Sequence, residues 1–213
     1  MIKQIPTEKK ENEFVLKQLA LLGIAGEKYF RALANDRLSS WNIRANYMAE
    51  TILRLLSFYG ATSKAIILVH NSHSGDNNFS QMAGFDQSVG EILNKKMGSE
   101  TVYSIGFGTY VGNVLAGKYW GAPLEKFEVP AAAKNSWEEI LHTCEAGNKY
   151  VVSKENLNSH FAKDTISFRS IGDVYSGKDF YGTAVIFKRY DAFVFIDSTT
   201  SINELNPALL YNQ

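Results

Sequence analysis

Ala65-Ile66-Ile67-Leu68-Val69-His70-Asn71-Ser72-His73-Ser74-Gly75-Asp76 is the stretch whose reading decides the fold. Its first five residues are apolar at every position, and turn residues from Gly60 to Ser63 precede them. A half-buried strand alternates apolar and polar side chains, so an unbroken apolar run predicts a parallel strand covered on both faces. In open parallel sheets, ligands bind beyond the carboxyl ends of the strands. At this carboxyl end stand two imidazoles, an amide and two hydroxyls.

Working outward, the segment before the run predicts a helix from about Trp41 to Tyr59. Met48, Ile52, Leu55, Leu56 and Tyr59 fall on one apolar stripe, and Gly60 ends it. After the run, Phe85, Val89, Ile92, Leu93 and Met97 share a helical face that Gly98 terminates. Thr101–Phe107 then reads as a second strand, giving a βαβ unit with a right-handed crossover. Phe14–Leu33 is helical by spacing, in two pieces or one kinked helix because of Gly23 and Gly26. A helix capped by Ser136 runs to Cys144, with Glu138 and Glu139 in its first turn. Tyr150–Val152 reads as a short strand and Ala192–Ile196 as a central one. The pattern is α/β with a mostly parallel sheet and a helical N-terminal segment, as one compact domain over 14–213 behind a polar tail over 1–13.

Composition narrows the function. Lys+Arg and Asp+Glu both number 22 in 213 residues, so no one-sided field suits nucleic acid or an anionic membrane. Hydrophobic residues at 45% supply a sizeable core. The single cysteine, Cys144, excludes an intrachain disulfide framework. The first residues lack the apolar core of a secretory signal, and no apolar run approaches the ~20 residues that span a bilayer. A cytoplasmic protein is the default reading.

Few residues carry chemistry. His70 and His73 are either satisfied structural residues or the polar end of a ligand cleft. With Asp76 they number three, the minimum of an open metal site, but the spacing matches no well-known zinc signature, and neither metal nor cofactor is expected. Arg44 lies one turn before Met48 on the stripe. It either snorkels to solvent or presents a fork of donors to a ligand oxygen. Glu50, off the stripe, reads as a solvated pair with Arg54. Gly106, Gly108 and Gly112 are spaced wrongly for a dinucleotide loop. No G-x-S-x-G elbow occurs. Cys144 reads as a buried structural thiol, and His142 and His160 have no assigned role.

Arg44-Ala45-Asn46-Tyr47-Met48-Ala49-Glu50 resembles the R-D-x-x-M-A-E helix start of the erythromycin esterase family. Ile66 to His73 is similar to that family's apolar strand followed by H-N-x-H, and Tyr103–Phe107 to its next strand. Trp41-Asn42, Ser136-Trp137-Glu138 and Tyr190 to Thr200 also fit, in the family's order over roughly residues 20 to 205. The resemblance implies the C-terminal half of a three-layer α/β/α fold that hydrolyses a carboxylic ester or lactone by activated water, macrolide antibiotics included. By resemblance Arg44 and His70 are catalytic, and His73, Asn71 and Met48 bind substrate. The family's Asp after the arginine is Ala45 here. Its N-terminal G-E-x-x-H-G-type base motif is absent from the sequence. That implies an incomplete hydrolase needing a complementing N-terminal half, or an inactive ligand- or partner-binding remnant. An unpaired sheet edge would also invite homo-oligomers.

Overall fold

The computed structural model describes residues 8–81, 87–144, 149–153, 164–175, 177 and 180–203. Where the sequence suggests one body, contacts group the chain into two units: residues 1–78 with 82–104, and residues 79–81 with 105–213.

In the first unit, α1 (Glu8–Leu33) is one continuous helix that runs through Gly23 and Gly26 and begins within the stretch read as a tail. Asp36 caps α2 (Arg37–Tyr59) by accepting from the Leu38 amide at 2.9 Å, so this helix starts four residues before Trp41. The two form an antiparallel hairpin. Phe14 stacks on Phe58 with centroids 4.3 Å apart, and Arg54 Nε donates to Gln18 Oε1 at 2.7 Å. The opposite face of α2 carries Ala45 and Ala49, both fully buried, one turn apart. Two methyl-sized side chains let α4 (Val89–Met97) approach closely, and Val89, Ile92 and Leu93 complete this core. Met48, Ile52 and Leu53 pack around it, whereas Leu55 and Tyr59 of the expected stripe are exposed. Ser88 caps α4 and Gly98 ends it in a positive-φ conformation. The same approach corrects the reading of Glu50, which pairs with Lys96 of α4 while Arg54 turns to Gln18 and Thr51. The Lys96 ammonium holds the Glu50 carboxyl below its usual range.

The expected strand at Ala65–Val69 joins no β-ladder among the described residues. Ile66 and Leu68 are 93% and 92% exposed. Apolar patterning marks a segment that can be covered on both faces; a strand also requires a neighbouring backbone. The second expected strand likewise begins at Ile105, not Thr101, so the βαβ unit is not formed.

The second unit has two sheets. One orders β3 (Leu124–Val129), β2 (Ile105–Gly117), β7 (Ala192–Thr199) and β4 (Lys149–Ser153). The other orders β1 (Ser80–Gln81), β6 (Phe180–Ala184) and β5 (Ile166–Ser170). Among the strand pairs of the described residues only β2 and β7 are parallel; the others are antiparallel. A mostly parallel sheet is therefore wrong for this chain. The turn after Gly117 folds β3 straight back onto β2, which takes an edge that a crossover would otherwise fill. β7 is internal, as its apolar run predicts. Phe193 and Phe195 are fully buried, with Trp137 of α5 (Trp137–His142), Phe168, and Ile186 of α6 (Ile186–Arg189).

The glycines after Ile105 serve packing. A Cβ on Gly106 or Gly108 would lie 2.7–2.8 Å from the Phe193 ring. Gly112, at φ +149°, lies so close to β7 that a Cβ would stand 2.1 Å from the Thr199 carbonyl oxygen. Gly112→Ala should therefore cost about 1–3 kcal/mol or more through strain and clash. Urea unfolding checks this, and an unchanged midpoint would contradict the β2–β7 contact.

Candidate functional site

The first unit brings Arg44 and His73 together through one indole. Trp41 stacks on the His73 ring with centroids 4.6 Å apart and planes 4° apart. The Arg44 guanidinium lies over the same indole, 4.7 Å from its centroid. Trp41 and Arg44 are three residues apart on α2 and share one helix face. Trp41 Nε1 donates to the Gln87 carbonyl at 2.7 Å, while Asn42 and Asn46 hold Gln87 by its amide and side chain at 3.2 and 3.0 Å.

His73 comes from α3 (Asn71–Ser74), whose position is fixed at its C-terminal end. The Ser74 carbonyl accepts from Ser104 Oγ at 2.7 Å, and the Gly75 carbonyl accepts from Ser88 Oγ. Gly90 passes so close that a Cβ there would stand 1.9 Å from the Ser74 oxygen. These contacts hold a four-residue helix that could not persist alone.

Arg44 is half-buried. Its Nε is buried without a hydrogen-bond partner, and no carboxylate pairs with the guanidinium among the described residues. A cation on an indole face gains about 0.5–2 kcal/mol, less than full hydrogen bonding of a guanidinium provides. The arrangement suits a ligand oxygen. Beside Arg44 lies a cavity of about 160 Å³ lined by Leu22, Ala25, Gly26, Tyr29, Ile43 and Tyr47. It offers an apolar surface next to the cation.

The remaining expected site residues are placed differently. His70 is exposed and caps α3, its Nδ1 accepting from the Ser72 amide at 3.2 Å and lying 2.9 Å from Ser72 Oγ. Asn71 accepts from Gly75 N through its backbone carbonyl. Met48 packs on the α2–α4 core. Asp76 accepts from the amide and side chain of Asn78. No group of three potential metal ligands clusters among the described residues. Cys144 is exposed, contrary to its reading as a buried thiol, because α5 ends at His142 and does not continue into the core. His160 lies outside the described residues.

The second unit holds polar residues that sequence patterning does not single out for chemistry. Arg169 is buried and donates to Tyr181 Oη at 2.9 Å, the Tyr110 carbonyl at 3.1 Å and the Pro130 carbonyl at 2.9 Å. Its own amide donates to Glu138 Oε1 at 3.0 Å. Glu138 is 1% exposed and its Oε2 has no hydrogen-bond partner. Burial pushes its carboxyl above the usual range, against the Arg169 amide bond and the guanidinium charge. Deep burial likewise raises the Tyr190 phenol to about 12, against the opposing Arg189 charge. Only the order of Ser136-Trp137-Glu138 hinted at Glu138; Arg169 sits in a short strand with no periodic signal.

A larger cavity, about 580 Å³, is bounded by Val111, Gly112, Asn113, Glu128, Val129, Pro130 and Gly177, none of them expected site residues.

Comparison with known proteins gives a family and a fold. The family model described as "Erythromycin esterase" matches residues 2–199. Among solved structures, the chain is similar to a succinoglycan biosynthesis protein, at TM-score 0.67 and 16% identity over 92% of this chain and 52% of that one. It is similar to a Bacillus cereus protein at TM-score 0.63 and 14% identity, over 93% and 54% of the two chains. A mutant of the erythromycin esterase EreC in its open conformation matches at TM-score 0.50 and 15% identity, over 92% and 54%. These likenesses show the fold alone. The chain spans about half the length of the solved structures it matches.

Glu138 yields a prediction with a definite sign. The folded protein holds this proton to higher pH than the unfolded chain. Its contribution is therefore most favourable below the ordinary glutamate value and is lost as pH rises through the raised one. Glu138→Gln stays neutral throughout, so its stability relative to the parent should improve as pH rises above the ordinary glutamate value of about 4. Urea midpoints measured across that rise test this; a difference independent of pH would refute it.

Proposed function

The chain belongs to the erythromycin esterase family, and we propose from that premise that it acts on a small carboxylic ester or lactone, with Arg44 and His73 at the centre of the site. Membership supports a hydrolase-type domain in general. The particular reading rests on one observation: a guanidinium and an imidazole share one indole, and the guanidinium Nε is buried without a hydrogen-bond partner among the described residues.

In this reading, Arg44 donates to the carbonyl oxygen that gains charge as water attacks. A preorganised cation there stabilises the transition state more than the ground state. Trp41 holds the guanidinium in place, and the cavity beside it takes the apolar part of the substrate. His73 orients the ester, with Asn71 shaping its loop and Met48 supporting the helix beneath. His70 takes part in proton transfer through Nε2, since Nδ1 is committed to Ser72. The three-layer arrangement and the base that activates the water belong to the same proposal. So do a cytoplasmic setting and inactivation of a macrolide. Among the described residues no helix is long and apolar enough to cross a membrane.

The solvent-exposed Ala65–Val69 run supports a further element of the reading, that it pairs with a strand from a complementing half of the fold or from a second copy. Exposed Ile66 and Leu68 form the unpaired apolar backbone that such pairing covers. A second reading, ligand binding without turnover, is favoured by Ala45. This fully buried methyl stands where the family carries a carboxylate beside the arginine.

Hydrolysis assays on a panel of esters and lactones, with product quantified by mass spectrometry, separate the two readings. Arg44→Ala should lower the rate about 100-fold, as removal of an oxyanion donor does, and Arg44→Lys should recover little because a lysine does not reproduce the planar fork. Saturable binding with no product from the parent protein, both alone and supplied with the complementing N-terminal half, would favour the second reading and reject the first. For the exposed run, light scattering should show association that the Ile66→Ser/Leu68→Ser double variant weakens. A parent that remains monomeric at high concentration, with or without the complementing half, would reject pairing.

A further inference from the structure

Three side chains from three elements of the second unit meet on one face of the β2–β7 pair. In the parallel register Thr109 pairs with Ile196 and Val111 with Ser198, which sets Tyr110 beside Asp197. α5 crosses this face where β2 has glycines. Glu138 Cγ would be 3.8 Å from a Cβ on Gly108. One turn later, His142 lies over Tyr110, with ring centroids 3.7 Å apart and planes 3° apart. Its Nδ1 is 2.5 Å from Asp197 Oδ1. The side chains of His142 and Asp197 are 39% and 23% exposed.

This geometry decides how the imidazole behaves. A carboxylate at Nδ1 accepts the Nδ1 proton, which leaves Nε2 as the bare nitrogen of the neutral ring. The stacked phenol fixes the ring plane, and the carboxylate stabilises the imidazolium formed when Nε2 takes a proton. Neither cavity described above is lined by His142, so its reactant must be small and arrive from solvent.

We propose that His142, held by Asp197 and Tyr110, is a general base that hydrolyses small activated carboxylic esters, a proton-transfer site separate from Arg44 and His73. Nε2 takes a proton from water as the water oxygen bonds to the ester carbonyl carbon and the carbonyl π electrons move onto oxygen. Collapse of that tetrahedral species breaks the bond to the leaving oxygen, which takes the proton back from Nε2. A carboxylic acid and an alcohol or phenol result. His142 ends neutral, and Asp197 remains a carboxylate throughout.

The probe is p-nitrophenyl acetate, followed by p-nitrophenolate release from the purified chain between about pH 5 and pH 9, a range that brackets imidazole titration. The rate should fall about 100-fold in His142→Gln, within the range of general-base contributions. Asp197→Asn should lower the rate, because it removes the carboxylate acceptor at Nδ1, and Asp197→Glu, which keeps a carboxylate, should recover part of it; a merely structural pair would leave the rate of both folded variants at the parental value. Tyr110→Phe, which keeps the stacked ring, should keep the profile. Cys144→Ser should leave the rate unchanged, which separates base catalysis from acylation of the exposed thiol. Circular dichroism establishes folding of each variant. Should His142→Gln fail to fold, the parent is treated with diethyl pyrocarbonate, and peptide masses should show His142 modified in parallel with loss of hydrolysis. Hydrolysis no faster than free imidazole, or activity that survives loss or modification of His142, would overturn the proposal. So would activity that depends on His73 but not on His142, a result that leaves the Arg44 reading standing.

Discussion

The first unit depends on the ring and the one nitrogen of a single indole. Trp41 fixes the Gln87 backbone through Nε1, takes the Arg44 guanidinium on its ring and stacks with His73. These partners come from the helix itself, from the loop that leads into α4 and from the short helix after the exposed apolar run. Neither the loop nor the four-residue helix has enough local structure to fix its own position. Aromatic stacking and one strong hydrogen bond from the same side chain supply long-range restraints that local propensity cannot. An arginine held by an aromatic face and not by a carboxylate also keeps its donors available for a ligand, which a tight ion pair would consume.

A comparable constraint operates in the second unit, with small residues taking the place of a large one. Gly106 and Gly108 remove side chains from β2 where the Phe193 ring and α5 must fit. The helix is thereby set with Glu138 against the sheet and His142 over Tyr110. One packing decision thus places a buried carboxylate and an exposed imidazole on the same helix. Burial penalises charge on Glu138, while His142 stays partly exposed with its Nδ1 against Asp197. Two ionisable groups four residues apart acquire different chemistry through the depth at which each is held.

Several elements were legible because their signals are local. The Ser136 cap, the stop at Gly98 and the central strand at Ala192 follow from short-range hydrogen bonding, glycine's freedom at positive φ and uninterrupted hydrophobicity. Arg44 and His73 were legible as site candidates from their places beside an apolar stripe and an apolar run. Their shared contact with Trp41 was not, since nothing in the spacing of residues 41 and 73 specifies that two rings stack. Glu50 shows the converse. An i, i+4 pairing with Arg54 is a sound local expectation, yet Lys96 takes the carboxylate because the alanines of α2 admit α4.

The sequence by itself determined the family, the longer helices, the internal strand β7 and the residue types available for chemistry, because these follow from ordered motifs, periodicity and capping along the chain. Tertiary structure alone decided that Ala65–Val69 joins no ladder among the described residues, that most strand pairs are antiparallel, and that His142 meets Asp197 and Tyr110. Strand pairing is a property of two backbones and ring stacking of two side chains. Neither partner's identity is encoded at the position of the other.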